Sequence, residues 1–420
     1  MLDVEGARAQ FPSLSLTLDS GRRCVFLDNP AGTQVPQRVI DATATYFATS
    51  NANLGGAFLT SMRSDAVIAE ARRAMADFVG TRDLRRIVFG ANMTTLTFAF
   101  SRAIGRTLAP GDQILCTRLD HDANISPWLA LEEERGIEVL FADFDPSTGM
   151  LDRADFERKL TRRTRLVAVT YASNALGTVN DVAGLTKLAH DAGAMVWVDA
   201  VHYGPHGLID VEALDCDFLV CSAYKFFGPH VGVVYGKLEH LERLRPFKVR
   251  PAEDEVPHRW ETGTLNHEGI AGVAQAVAYI ASLGAGSPPS RREKIALAMR
   301  EIQAYERGLS ERLVGGLAAI DGVTVYGIVD PDHFGQRVPT VACRLDGYTP
   351  RQVAEILARE GIFVWDGNYY ALAVMQHLGL EASGGAVRIG PVHYNTPAEI
   401  DQTLDVISRL AERKAATLSR

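Results

Sequence analysis

The sequence predicts an α/β protein built on a large, mainly parallel sheet and followed by a smaller C-terminal block. Three observations carry this expectation. Short apolar runs (RIVFGA, DQILCT, RLVAVTY, AMVWVDA and DFLVCSA) alternate with helical patterns such as DVAGLTKLAHDAG; such alternation implies parallel strands covered by helices. The clearest break in composition is SLGAGSPPSRREK, residues 282–294, whose glycines, serines and paired prolines read as a linker. Beyond it the pattern changes to a long helix from Arg291 to about Gly315, short strands at VTVYGIV, PTVACRL and AVRIGPV, and a helix at TPRQVAEILAREG.

Each element has a local reason. The strand runs are short, apolar and bounded by turn residues. ANMTTLTFAF follows the strand RIVFG and opens a helix. The last helix begins in TPAEIDQTLDVISRLAERK, where Thr396 suits the N-cap, Pro397 the first helical position and Glu399 a capping box. A chain of 420 residues is long enough for a large core and two domains.

Composition excludes several classes of function. The formal net charge is -8 and no basic cluster stands out, which argues against nucleic-acid binding as the main role. MLDVEGARAQFPSL lacks the basic start and apolar stretch of a signal peptide, and no run is long enough to span a membrane. The five cysteines, Cys24, Cys116, Cys216, Cys221 and Cys343, form no CxxC pair and read as buried thiols of a cytoplasmic protein. No HExxH, GxGxxG or Walker A sequence is present, so neither a metal site nor a nicotinamide or P-loop enzyme is supported.

The most informative residue is Lys225. It follows the apolar run Phe218 to Cys221 and is flanked by Tyr224, Phe226 and Phe227. Aromatic walls desolvate an ammonium and favour the neutral, nucleophilic amine. Asp199 closes a second buried run, where open α/β sheets place their ligands. Separately, a lysine at a strand end can snorkel to water and an aspartate can cap a turn. Together they have a joint explanation: the lysine holds pyridoxal 5'-phosphate as a Schiff base and the carboxylate pairs with the pyridinium nitrogen.

Read in order, FLDNPAGTQVP, IVFGANMTTLTFAF, GDQILCTRLDHDANISPW, VAVTYASNALGTVNDV, VWVDAVH, DCDFLVCSAYKFFGP, WETGTLNHEGIAG and VRIGPVHYNTPAEID resemble the class V aminotransferase group of fold-type-I pyridoxal-phosphate enzymes, nearest to its cysteine desulfurase branch. The resemblance covers roughly residues 20–405. It implies the aspartate aminotransferase fold, with a large cofactor-binding domain at 18–284 and a small α+β domain at 285–420, against which residues 1–17 pack. It also implies a homodimer acting on an amino acid. Residue by residue, Thr94, Thr95, Ser222, Tyr224 and, from the neighbouring subunit, Thr264 match phosphate contacts. His121 matches the histidine that stacks on the cofactor ring and carries protons; Asp122 beside it could raise its pKa if the two side chains meet. Asn174 matches the asparagine near the cofactor's phenolic oxygen and the substrate. His202 stands where desulfurases usually carry glutamine, and Arg388 matches the arginine that grips the substrate carboxylate.

Two departures bear on function. The loop that carries the sulfur-accepting cysteine in desulfurases corresponds to GIFVWDGNYYALAVMQHLG, with Tyr370 at or next to the cysteine position. Gly55 and Gly56 stand where the nearest type often has histidine and arginine. The leading expectation is therefore a carbon–sulfur lyase without a persulfide cysteine. An epimerase or aminotransferase is the alternative, supported by His202. A catalytically silent binding or regulatory protein of this fold is the alternative of another class, disfavoured by the intact lysine, aspartate, histidine and arginine.

Overall fold

The computed structural model describes residues 2–284, 286 and 288–418. The boundary expected at 284/285, and the outer ends of the blocks 1–17 and 285–420, touch residues 1, 285, 287, 419 and 420, which lie outside the described residues. Among the described residues, no helix is long and apolar enough to cross a membrane.

The large sheet has seven strands in the order Ile87–Gly90, Gly232–Gly236, Phe218–Ser222, Met195–Asp199, Thr164–Thr170, Gln113–Thr117 and Glu138–Ala142. Only Gly232–Gly236 runs against the rest; the remaining neighbours pair in parallel. All five runs read from the sequence are strands. Glu138–Ala142 and Gly232–Gly236 were not expected: the first is an edge strand that starts on an exposed glutamate, and the second is short and bracketed by glycines. The central strands are buried throughout because helices cover both faces of the sheet. Leu59–Val79, Val182–Asp191, His267–Ser282 and the start of Arg291–Ala318 pack on one face. Met93–Gly105 and Ser126–Arg135 pack on the other.

A second sheet of four antiparallel strands lies in the C-terminal part, in the order Trp365–Gly367, Ala386–Ile389, Val341–Leu345 and Val323–Tyr326. The helices Arg291–Ala318, Pro350–Arg359 and Pro397–Leu418 share its core. Arg291 already lies in the first helical turn, fixed by a capping box between Ser290 and Glu293, so the end of the expected linker is helix. The Thr396–Glu399 box forms as expected: Thr396 N donates to Glu399 Oε2 at 3.0 Å, and Glu399 N to Thr396 Oγ1 at 3.3 Å. The N-terminal segment joins this part of the chain. Val25–Phe26 pairs in parallel with Ile362–Phe363, and Arg8 pairs with Glu399 at 2.8 Å.

The topology gathers four strand ends. Thr117, Thr170, Asp199 and Ser222 close four consecutive parallel strands, so their following loops meet on one edge of the sheet. At the opposite edge, Asp217 anchors the strand that leads to Lys225. Its carboxylate accepts from His190 Nε2 and His240 Nε2, each at 2.9 Å, and from Val196 N at 2.7 Å. Burial alone would raise its pKa, but these donors and Lys237 outweigh it and hold the carboxyl at about 2. A depressed folded pKa stabilises the protein above the ordinary aspartate value of 3.8, and that contribution fades as pH falls towards about 2. Asp217→Asn should therefore lower stability at neutral pH by about 1.5–3 kcal/mol in urea unfolding and should flatten the acid limb of stability against pH.

Candidate active site

Lys225 ends a short 3-10 turn, Ala223–Lys225, directly after the strand Phe218–Ser222. The next two side chains drive into the core. Phe226 stacks on Phe78 with ring centroids 4.5 Å apart, and Phe227 packs edge-on against Phe11, Tyr279 and His393. These two phenylalanines anchor the turn and do not wall the amine, contrary to the expectation from sequence. The wall is Tyr224, whose ring lies 4.7 Å from Lys225 Nζ. Nζ donates to the carbonyl of Pro30. Burial first, then the Arg388 charge, lower the lysine pKa to about 7, against the opposing pull of Asp199 and Asp28. The amine is thus substantially neutral near physiological pH.

Asp199 ends the neighbouring strand and is almost fully buried. It accepts from Val201 N at 2.8 Å; burial raises its pKa to about 6, so it is an anion at neutral pH. His202 Nε2 lies 2.9 Å from Thr340 Oγ1, and burial pushes its pKa well down. His121 is the N-cap of a short turn: its Nδ1 accepts from Ala123 N at 3.0 Å, which leaves the ring proton on Nε2. Burial, then the charges of Lys225 and Arg388, lower its pKa to about 3. The conditional expectation that Asp122 raises the His121 pKa is corrected: the Asp122 carboxylate accepts from Ser126 Oγ at 2.5 Å instead. At neutral pH His121 is an uncharged ring that can stack and donate from Nε2.

Arg388 sits on the strand Ala386–Ile389 of the smaller sheet, yet reaches the same space. Its Nη1 donates to Asn174 O at 3.0 Å, and its guanidinium lies 4.5 Å from the Tyr369 ring centre. Asn174 Nδ2 donates to Tyr369 O at 3.0 Å. Three buried polar atoms here, Asn174 Oδ1, Arg388 Nε and Asp28 Oδ1, have no hydrogen-bond partner among the described residues. Buried polar atoms are rarely left so, and these mark where a polar ligand is expected.

The cavity has a volume of about 620 Å³. It is lined by Thr94, His121, Asn174, Asp199, His202, Tyr224, Lys225 and Arg388, eight of the residues singled out in the sequence. Three others lie outside its walls. Thr95 is exposed, its N–H taken by the Asn92 cap at 2.8 Å. Ser222 is buried at the strand end. Thr264 is exposed in a segment tied down by the buried pair Arg72–Glu261 at 2.9 Å. Gly55 and Gly56 also lie outside the walls, their amides donating to Asp65 and Ser61. Sequence reasoning missed Pro30, Asp28 and Thr340; Pro30 lies 195 positions from its partner Lys225, so no local pattern could pair them. Trp365, Tyr369 and Tyr370 all line the cavity, with the Tyr370 ring stacked on His121 at 5.6 Å and 26°.

These residues fit pyridoxal phosphate. Lys225 supplies a desolvated amine and Asp199 a buried anion. Met93 and Thr94, in the first turn of the 13-residue helix Met93–Gly105, line the cavity where a helix N-terminus favours an anion. Fold and site together define a fold-type-I pyridoxal-phosphate enzyme. The chain belongs to the aminotransferase class-V family, whose model matches residues 25–403. It is 32% identical to probable cysteine desulfurase 1 of Mycobacterium leprae over 98% of this chain, and 32% identical to a cysteine desulfurase of Pectobacterium atrosepticum over 97% of this chain and 98% of that protein. The chain spans 66% and 59% of the lengths of two mycobacterial relatives it matches. Among solved structures, the apo cysteine desulfurase of Thermococcus onnurineus NA1 superposes with a TM-score of 0.86 at 30% identity, covering 98% of each chain. The protein is thus a class V pyridoxal-phosphate enzyme similar to the cysteine desulfurases.

Because the Lys225 amine loses its proton near pH 7, cofactor-free protein should bond pyridoxal phosphate faster as pH rises through about 7, with the rate levelling above it. Stopped-flow absorbance after mixing checks this. Lys225→Ala should abolish the covalent link that borohydride fixes in the wild type.

Proposed function

We propose that the protein is a cytoplasmic, homodimeric carbon–sulfur lyase acting on an amino acid without a persulfide on its own cysteine. The observation that carries this reading is Tyr370, set over His121 in the loop where a desulfurase carries its sulfur acceptor. The state of the thiols supports it. All five cysteines are free and buried, and burial pushes the thiols of Cys116, Cys216, Cys221 and Cys343 up, away from the reactive thiolate.

In this reading Thr94 and Tyr224 hold the phosphate, with Thr95, Ser222 and the Thr264 of a second copy completing the site. Asp199 would be the anionic partner of the ring nitrogen, and His202 and His121 would help hold the ring. Bound pyridoxal phosphate supplies an electron sink for the substrate Cα. Arg388 binds the substrate carboxylate through its planar donor fork, and Asn174 orients the bound group. Lys225 would be the neutral base that takes the Cα proton at Nζ. His121 does not compete for that proton, since it stays neutral far below pH 7. Loss of a β-sulfur group from the substrate would give elimination, and delivery of a proton to the opposite face of Cα would give epimerisation; transamination is the third outcome the bound group would support. Product identification separates these outcomes.

Mass spectrometry after L-cysteine treatment should find no persulfide on the protein even when sulfide is released. A stoichiometric one-sulfur adduct on any cysteine would return the protein to the desulfurases its relatives are named for. Arg388→Ala should keep the cofactor but weaken amino-acid binding by about 1.5–3 kcal/mol, read from titration of the cofactor absorbance. The active species should sediment as a dimer, since Thr264 is exposed and outside this chain's own cavity; a fully active monomer would refute the composite site.

A further inference from the structure

The upper wall of the cavity is aromatic and held under strain. Tyr369 and Tyr370 both adopt left-handed backbone, each with φ of 57°. Such a pair persists only where its surroundings over-determine it, and strained residues of this kind cluster at functional sites. Here the restraints are explicit. Asn174 Nδ2 donates to Tyr369 O at 3.0 Å, Asp122 N donates to Tyr370 O at 2.6 Å, and Tyr370 N donates to Asn368 Oδ1 at 3.1 Å. The Tyr369 hydroxyl donates to Ala386 O. The result is that Tyr369 is buried beneath Arg388 while Tyr370 stays 73% exposed, with its ring against His121. Trp365, 49% exposed, lines the same cavity. Two large aromatic side chains therefore line the cavity with much of their surface exposed in the single chain.

Charge narrows what can cover them. Among the described residues, Lys225 and Arg388 are the only lysine or arginine side chains lining the cavity. Both already have assigned partners, the cofactor and the substrate carboxylate. An anionic side chain would find no cation left and would meet Asp122.

We propose that the site selects an amino acid with a bulky side chain that is not anionic, an aryl or S-alkyl group, seated against Trp365 and Tyr370. This rests on the reading of the protein as an amino-acid enzyme and names the substrate class of that site. Aromatic contact of this kind is a recognition element that small side chains cannot use.

The test is equilibrium titration of the holoenzyme with L-phenylalanine, L-methionine, L-alanine, L-aspartate and L-lysine, none of which carries a good β-leaving group, followed by calorimetry and by the cofactor absorbance. L-phenylalanine and L-methionine should bind roughly tenfold or more tighter than L-alanine, and L-aspartate more weakly than L-alanine. Trp365→Ala and Tyr370→Ala should erode that ratio and Tyr370→Phe should preserve it. If the alanine variants do not fold, the wild-type ratio still decides. Equal affinity across the panel, or tightest binding of a charged amino acid, would overturn the substrate class and leave the amino-acid reading standing. A holoenzyme that responds to no amino acid would overturn both.

Discussion

The ring cluster around Phe227 is the contact on which the rest of the site depends. Phe227 follows the lysine turn with a left-handed φ of 69° and is completely buried. Its ring packs against Phe11 near the N-terminus, Tyr279 of the helix His267–Ser282, and His393 and Tyr394 just beyond the arginine strand. His393 Nε2 and the Tyr279 hydroxyl are 2.6 Å apart, so the cluster is pinned by a buried polar contact as well as by packing. One cluster thereby sets where Lys225 leaves the large sheet and where the chain after Arg388 leaves the small one. Loss of that packing would displace Lys225 and Arg388 together.

Burial then decides the charge states. Every key group resists ionisation when desolvated, but their neighbours differ. Lys225 has Arg388 as the stronger neighbour, so its amine becomes neutral near pH 7. Asp199 is helped by Val201 N and by Lys225, so it remains an anion. His121 is kept unprotonated by its burial first, and then by the charges of Lys225 and Arg388. The same low-dielectric pocket thus yields a base, an anion and a neutral donor side by side. A set of this kind suits chemistry at a carbon next to a carboxylate and a nitrogen, because proton removal there requires a neutral base beside a fixed cation.

Family membership and local departure work at different scales. The class V architecture depends on strand order and buried apolar faces, which tolerate extensive substitution when the pattern is kept. The aromatic loop does not enter the main cores on either side of the large sheet, and its geometry follows from a handful of hydrogen bonds around Asn368, Tyr369 and Tyr370. A chain can therefore keep the desulfurase-like scaffold while a short segment over the cavity changes the cavity's lining.

Much of this was legible in the sequence because it is local. Periodicity located five strands of the large sheet, Thr396 and Glu399 marked a helix start, and Lys225 and Asp199 announced themselves as polar residues closing buried runs. Two strands escaped: one begins on an exposed glutamate, and the other hides between glycines just after the lysine turn. The phenylalanines beside Lys225 were read as its walls, whereas the strand-to-turn geometry sends both into the core and leaves Tyr224 alone against the amine. Asp122 was considered a partner of His121, but the short turn aims it at Ser126. By itself, then, the sequence determined the elements, the buried faces and the chemical inventory, since these follow from spacing and side-chain type. Only the tertiary structure decided which groups meet, which proton sits where, and which strained tyrosine faces the cavity, because those depend on contacts between residues as far apart as Pro30 and Lys225 and on the water that packing excludes.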